Sequence, residues 1–363
     1  MRILIDIGHP AHVHLFRNYA AEMLSRGHSV LFTCRDKEFE IDLLRANNFQ
    51  YKSFGKKYKT TISKLWGLLK FDYLEWITAL KFKPDLFLSH GSPYAAHASK
   101  LVGKPHIAFE DTYNFEQIRL YEPFTDIIFT GKYEHPSVSK KEIQLPTYHE
   151  LGYLVPSRFT PDVSVLDVLG VGRDENYTIV RFVSWEASHD IGHKGIPYEM
   201  KVKAVKEFAK YGRVFISSEG NLPQELEPYR LRTVPDAIFD VLAFAKLIWG
   251  ESSTMSEEAA MLGVPSVYFN NNSTFYTRHL ERDYSLIYNL SESKSDLELG
   301  IDIGVKILSG QPSQQEFIQR RDKMLKERVD LTDFLVWFTE NYPKSKFKMK
   351  DDSSLLKQFR IKR

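Results

Sequence analysis

The stretch "LIWGESSTMSEEAAMLGVPSVYF" (247–269) runs from an apolar strand into a hydroxyl-rich loop, then a helix with two adjacent carboxylates, then a second strand. The flanking "AKLIWGE" reads as a buried strand, and the spacing predicts a helix from near Ser256 to Gly263. Gly263 can take the left-handed conformation that ends a helix, and Pro265 prevents its continuation. Strand, helix and strand in this order form a parallel unit with a right-handed crossover. Ser252, Ser253 and Thr254 would then lie at the positive end of the helix dipole, with free N–H groups and three hydroxyls, an arrangement suited to a diphosphate. Glu257 and Glu258 are about 100° apart around the helix, so only one can face such a ligand. A carboxylate one turn in is placed to accept both hydroxyls of a ribose. An ordinary capped helix with acids near its start gives the same pattern, and the residues alone do not separate the two readings.

The same alternation extends in both directions. Apolar runs at 2–7, 29–35, 85–90, 104–111 and 126–131 are separated by helix-like segments, the first from about His14 to Arg26 and stopped by Gly27. After a turn-rich stretch with Pro146, Pro156 and Pro161 the alternation restarts, with strands at 177–183, 213–219, 245–251 and 265–270 and helices near 198–211 and 236–244. Two such sets in 363 residues predict two doubly wound α/β domains. Their expected bounds are 1–155, joined by a returning helix at about 331–345, and 165–330, with 346–363 as a basic tail. Ligands of such folds sit outside the carboxyl ends of the strands, so the loops there carry the interest.

Composition narrows the class. A chain with 43% hydrophobic and 26% charged residues is globular, and 49 basic against 47 acidic residues give no field that would attract nucleic acid. The single cysteine, Cys34, excludes a disulfide framework and a cysteine-rich metal site. Met1 leads straight into a strand, and no apolar run approaches the roughly 20 residues that span a bilayer, which predicts a cytoplasmic protein. Segment 52–84 interleaves lysines with Trp66, Leu68, Leu69, Phe71, Trp76 and Leu80. It reads as a surface helix with a solvated lysine face or as a peripheral contact with an anionic membrane.

Other loops hold titratable residues. "GHPAHVH" (8–14) places His9 and His12 where either can serve as a general base, since histidine titrates near neutral pH. No cysteine or paired acid completes a zinc site there, so no metal or cofactor is expected. "SHGSPYAAH" (89–97) offers His90 and Ser92, and "AFEDTYNFEQIR" (108–119) offers Glu110, Asp111 and Glu116. Asp111 can act as a base or as the cap of the following segment. "RFVSWEASHDIGHKG" (181–195) puts Arg181 in reach of a diphosphate, with His189 and Asp190 in a glycine-bounded loop. Glu219 ends "FISSE" on the same side.

"ESSTMSEEAAMLGVPSV" resembles the nucleotide-binding segment of two-domain GT-B sugar-nucleotide enzymes. It is especially similar to the non-hydrolysing UDP-N-acetylglucosamine 2-epimerases, which carry Ser-Gly-Gly, then Glu-Glu-Ala, then Leu-Gly-x-Pro. With "DIGHPAHVHLFRN", "YHELGYL" and "RFVSWEASHDIGHKG" it also resembles a bacterial and archaeal GT-B-like family, domain of unknown function 354, from polysaccharide gene clusters, over the chain up to about residue 340. The resemblance implies a GT-B fold, two Rossmann-like domains with an interdomain cleft. It places Ser252, Ser253 and Thr254 on the phosphate loop, although Ser253 and Thr254 replace its two glycines, and Glu258 on the ribose. Where the 2-epimerases have His-Gly-Asp, this chain has His90-Gly91-Ser92, so one catalytic acid is missing. Glu110 and Glu116 match their two glutamates.

The implied activity is a metal-independent, inverting glycosyltransferase that moves a sugar from a UDP-sugar to a cell-surface polysaccharide or glycolipid. In that reading the second domain binds UDP, and the first binds the acceptor and supplies the base, His9 or Asp111. The alternatives are a sugar-nucleotide 2-epimerase and a non-catalytic nucleotide-sugar binder.

Overall fold

Ile3, Leu4 and Ile5 are all fully buried. Both faces of the first strand are therefore covered, as a central strand of a parallel sheet requires. The computed structural model describes residues 1–56, 61–183, 195–218, 220–232, 237–351 and 353–362, and only the backbone of 61–65, 350, 351 and 353. The chain divides into two units, Met1–Arg158 with Arg328–Lys362, and Phe159–Glu327.

The first unit contains β1 (Arg2–Ile7), β2 (Ser29–Asp36), β3 (Tyr51–Lys56), β4 (Leu86–His90), β5 (His106–Phe109), β6 (Ile127–Gly131) and β7 (Glu142–Leu145). They form one parallel sheet in the order β3-β2-β1-β4-β5-β6-β7. The order reverses between β1 and β4, the place where such sheets bind ligands. One face packs on the helices Pro10–Ser25 and Leu331–Glu340, through Phe16, Tyr19 and Met23 and through Phe334 and Phe338. Phe129 meets Phe334 and Phe338 edge-on, with centroids 5.5 and 5.0 Å away. The other face packs Leu4 and Phe87 on Ala79, Ala95 and Ala98 from the helices Thr61–Phe82 and Pro93–Leu101. Thr61–Phe82 buries Phe71 and leaves Trp66, Leu69, Tyr73 and Leu80 exposed. No helix among the described residues is long and apolar enough to cross a membrane.

Two differences from the sequence reading bear on the site. The first helix starts at Pro10, not His14, because His9 caps it and proline at the first position suits a helix start. His12 and His14 therefore sit on the helix, not in a loop. The stretch expected as a basic tail packs on the first unit: Phe359 is buried against Phe334 and Trp337, and Asp330 donates its N–H to the Phe359 carbonyl at 2.8 Å.

The second unit contains β8 (Tyr177–Phe182), β9 (Arg213–Ser218), β10 (Leu247–Gly250), β11 (Ser266–Phe269) and β12 (Ile287–Leu290), parallel in the order β12-β11-β10-β8-β9. Trp249 anchors its core, fully buried against Phe269 and Phe208 at 4.7 and 5.8 Å, with Nε1 donating to the Gly300 carbonyl. The order reverses between β8 and β10, where Gly250 pairs with Arg181. A side chain at 250 would place its Cβ 2.1 Å from the Arg181 carbonyl oxygen, so only glycine lets the strands close here. Gly250→Ala should destabilise the protein by about 3 kcal/mol or more, since neither backbone can yield. Urea unfolding followed by circular dichroism measures this, and an unchanged midpoint would contradict it.

Candidate functional site

The first unit gathers histidines at the carboxyl ends of β1 and β4. His9 caps the first helix, its Nδ1 accepting the Ala11 N–H at 3.2 Å, and its Nε2 lies 3.6 Å from the Glu38 carboxylate. His12 accepts the Gly8 N–H on Nδ1 at 3.2 Å and stacks on His90, with centroids 4.3 Å apart. A neutral imidazole that accepts on Nδ1 carries its proton on Nε2. Both rings therefore present N–H groups and not lone pairs. Burial lowers the pKa of each, and for His12 the neighbouring His90 and His9 push it further down, well below 6.5.

Asp111, in the loop after β5, lies between two imidazoles. Its Oδ1 is 2.9 Å from His90 Nε2 and its Oδ2 is 2.8 Å from His149 Nδ1. Burial disfavours its charge, yet His149 and His90 hold it well below 3.8. Burial likewise opposes charge on His90, but Asp111 overcomes it and raises that histidine to about 9. These three side chains bring potential metal-ligand atoms within 4.8 Å of one another. His149 was not among the residues singled out in the sequence, although it lies in "YHELGYL".

The other candidates here serve the scaffold. Glu110 is 2% exposed, and its Oε1 accepts from Thr112 N–H, Thr112 hydroxyl and Tyr113 N–H at 2.7–2.8 Å. Its Oε2 accepts the Tyr121 hydroxyl at 2.6 Å. Oε1 thus holds the loop that carries Asp111, and Oε2 ties it to the helix Phe115–Tyr121. Ser92 caps the helix Pro93–Leu101 and donates to Asp6. Glu116 is exposed in the first turn of Phe115–Tyr121, outside the histidine cluster.

Beneath the histidines lies a buried polar network that the sequence did not disclose. Asp6 on β1 accepts from Arg35 and Thr33 on β2 and from Ser92. The Arg35 guanidinium lies 4.8 Å from the centre of the Tyr94 ring. Thr33 Oγ1 is 2.9 Å from Asp6 and 3.0 Å from Glu75 Oε1, but it has one hydrogen to give. Glu75 is fully buried, and burial first, then the Asp6 charge, raise its pKa well above 4.5. A protonated Glu75 donating from Oε1 to Thr33, with Thr33 donating to Asp6, gives each of these contacts one hydrogen.

In the second unit the helix runs Ser253–Leu262, starting before the expected Ser256 because Ser252 caps it, its Oγ accepting the Met255 N–H at 3.2 Å. Ser253 and Thr254 are therefore helical, half-buried residues of the first turn. Glu257 and Glu258 lie in the next turn, 2% and 7% exposed. Arg181 on the adjoining β8 donates to Ser217 Oγ at 3.0 Å. Glu251, overlooked in the sequence, is buried and accepts from Val183 N–H at 3.0 Å and Ile196 N–H at 2.6 Å. It therefore ties Val183 and Ile196, which flank the "SWEASHDIGHK" segment in sequence, to the end of β10. His189 and Asp190 in that segment, and Glu219, lie outside the described residues.

No protein-family model matches the chain. An uncharacterised protein of Methanocaldococcus jannaschii is 26% identical over 294 residues, 73% of this chain and 80% of that one. Among solved structures, Staphylococcus aureus MnaA with UDP superposes with a TM-score of 0.66 at 13% identity, covering 95% of this chain and 97% of that one. The UDP-N-acetylglucosamine 2-epimerase of Neisseria meningitidis bound to its nucleotide sugar gives 0.63 at 12% identity, covering 96% and 100%. The glycosyltransferase VinC in complex with dTDP gives 0.61 at 12%, covering 94% and 99%. These likenesses show the fold: two Rossmann-like α/β units of the GT-B class.

The state of Glu75 is testable through stability. A carboxyl whose folded pKa lies above its unfolded value contributes stability that is full below the unfolded value and is lost as pH rises toward the folded one. The stability of the wild type relative to Glu75→Gln should therefore fall as pH rises from about 4.5 to neutrality. Urea titrations of both proteins across that range measure the difference, and a pH-independent gap would mean that Glu75 is ionised in the fold.

Proposed function

We propose that the protein is a glycosyltransferase that moves a sugar from a UDP-sugar to a saccharide or lipid-linked acceptor of the cell surface, with inversion at the anomeric carbon. The observation that carries this reading is the end of β10. Ser252, Ser253 and Thr254 open a helix at the switch point of the second sheet, Arg181 stands on the adjoining strand, and Glu258 follows in the next turn. Helix N–H groups and hydroxyls suit the diphosphate, and Glu258 suits the ribose. Arg181 offsets the charge that develops on the departing UDP, so the donor half needs no metal. UDP or a UDP-sugar is the ligand of the MnaA and N. meningitidis structures, and dTDP that of VinC.

The first unit would hold the acceptor at the carboxyl ends of β1, β4 and β5, beside His9, His12, His90 and Asp111. An epimerase needs acids that remove and return a proton at the sugar C2. Here Ser92 is a helix cap, and both oxygens of Glu110 already accept hydrogen bonds, one from its own loop and one from Tyr121. This favours transfer over the epimerase alternative. A cytoplasmic protein that reaches a lipid-linked acceptor would rest on the inner face of the membrane, and exposed Trp66, Leu69, Tyr73 and Leu80 suit that contact.

Glu258→Gln should weaken UDP binding by about tenfold or more in calorimetry, the loss expected for one charge-assisted hydrogen bond, whereas Glu257→Gln leaves it unchanged. Equal effects of the two would remove Glu258 from the ribose. With UDP-N-acetylglucosamine alone, proton NMR should show the sugar intact. A C2-epimer signal, or elimination to free UDP, would replace the transferase by an epimerase.

A further inference from the structure

We propose that His90, Asp111 and His149 form a binding site for a divalent transition-metal cation in the first unit. The three come from separate carboxyl-edge segments, the end of β4, the loop after β5 and the turn after β7, so no motif joins them in sequence. Their ligand atoms lie within 4.8 Å of one another, and each ring nitrogen is 2.8–2.9 Å from a different oxygen of Asp111. Neighbouring ligands around an ion bound at about 2.1 Å stand roughly 3 Å apart, so a small movement of the rings admits it. Two imidazoles and one carboxylate select zinc, iron, cobalt, nickel or manganese, and not the oxygen-preferring calcium or magnesium.

The surroundings hold these ligands in place. His90 stacks on His12, His149 meets His90 edge-on at 5.2 Å, and Phe109 stands 5.7 Å from His149. Glu110 fixes the loop that carries Asp111 through four accepted hydrogen bonds. Such support orients first ligands and raises affinity. The side chains are 10%, 19% and 10% exposed, so the cluster is sheltered yet reachable. Three protein ligands leave a coordination position open, as in sites that activate a bound oxygen.

On the transferase reading, that open position addresses a need that the neighbouring histidines do not meet. His9 and His12 present N–H groups, and neither offers the lone pair a general base requires. A cation lowers the pKa of a bound hydroxyl. The acceptor oxygen would lose its proton to water and bond to the anomeric carbon, while the bond to the diphosphate breaks with its electron pair left on UDP. This consequence rests on the proposed function, but cation binding does not.

The test uses the full chain, stripped with EDTA and titrated with Co²⁺, whose visible bands report nitrogen and oxygen ligands. One Co²⁺ per chain is expected, competed by Zn²⁺, with affinity lowered at least about tenfold in His149→Ala and in the isosteric Asp111→Asn. His97→Ala, which removes the partner of Asp72 in the same unit, should bind like the wild type. Circular dichroism checks each fold, and a rise in wild-type Tm with Co²⁺ gives a readout that needs no variant. Absence of Co²⁺ bands and of that rise would overturn the proposal, as would full binding by both ligand variants. UDP affinity, measured in parallel, reports on the second unit, so failure of the donor reading would show separately.

Discussion

The Asp6 carboxylate, buried at the switch point of the first sheet, is the constraint from which the rest of that unit's site follows. It joins β1 to β2 through Arg35 and Thr33, and to the turn after β4 through Ser92. A buried charge is tolerated only when paired and fully hydrogen-bonded, and removing one partner of such a pair costs about 3–5 kcal/mol. The network is therefore weak evidence for stability but strong evidence for geometry. It fixes the distance between the segments carrying His9 and His12 and the segment carrying His90. It also acts on its neighbour, because burial and the Asp6 carboxylate raise the pKa of Glu75 more than Arg35 and Thr33 lower it.

The same device recurs with different carboxylates. Glu110 gathers two N–H groups and two hydroxyls after β5, and Glu251 gathers the N–H groups of Val183 and Ile196. In each case a strand-end acid is occupied by hydrogen bonds from neighbouring segments. Asp111 stands beside Glu110, and Ser252 beside Glu251. Adjacent polar residues thus do different work: Glu110 and Glu251 organise backbone, Asp111 joins two imidazoles, and Ser252 caps a helix. A sequence shows both as polar strand ends and gives no sign of which is which, so Glu110 read as catalytic and Glu251 went unremarked.

Much of the architecture was legible in the sequence, because buried parallel strands appear as unbroken apolar runs. The strands that escaped, "YKSFGK", "EIQL" and "IYNL", are all sheet edges, where half of the side chains meet solvent and the apolar run is lost. Helix starts were read late at both His9 and Ser252, since the periodic apolar signal begins a turn after the cap. The helix opening at Ser252 was readable because its parts are contiguous. The cluster of His90, Asp111 and His149 was not, because its members are brought together only when β4, β5 and β7 lie in one sheet.

The two units therefore offer opposite chemistry on similar scaffolds. In the second, the hydroxyls of Ser252, Ser253 and Thr254 and the Arg181 side chain stand at the ends of β10 and β8, beside the buried carboxylates of Glu251, Glu257 and Glu258. In the first, a deeply acidic carboxylate is shared by two imidazoles, and the nearby rings have their Nδ1 lone pairs taken up by backbone N–H groups. A carboxylate held well below its ordinary range is a poor proton acceptor, because basicity falls with pKa. What that carboxylate retains is charge and two oriented oxygens, and these qualify it to hold a cation or an imidazolium.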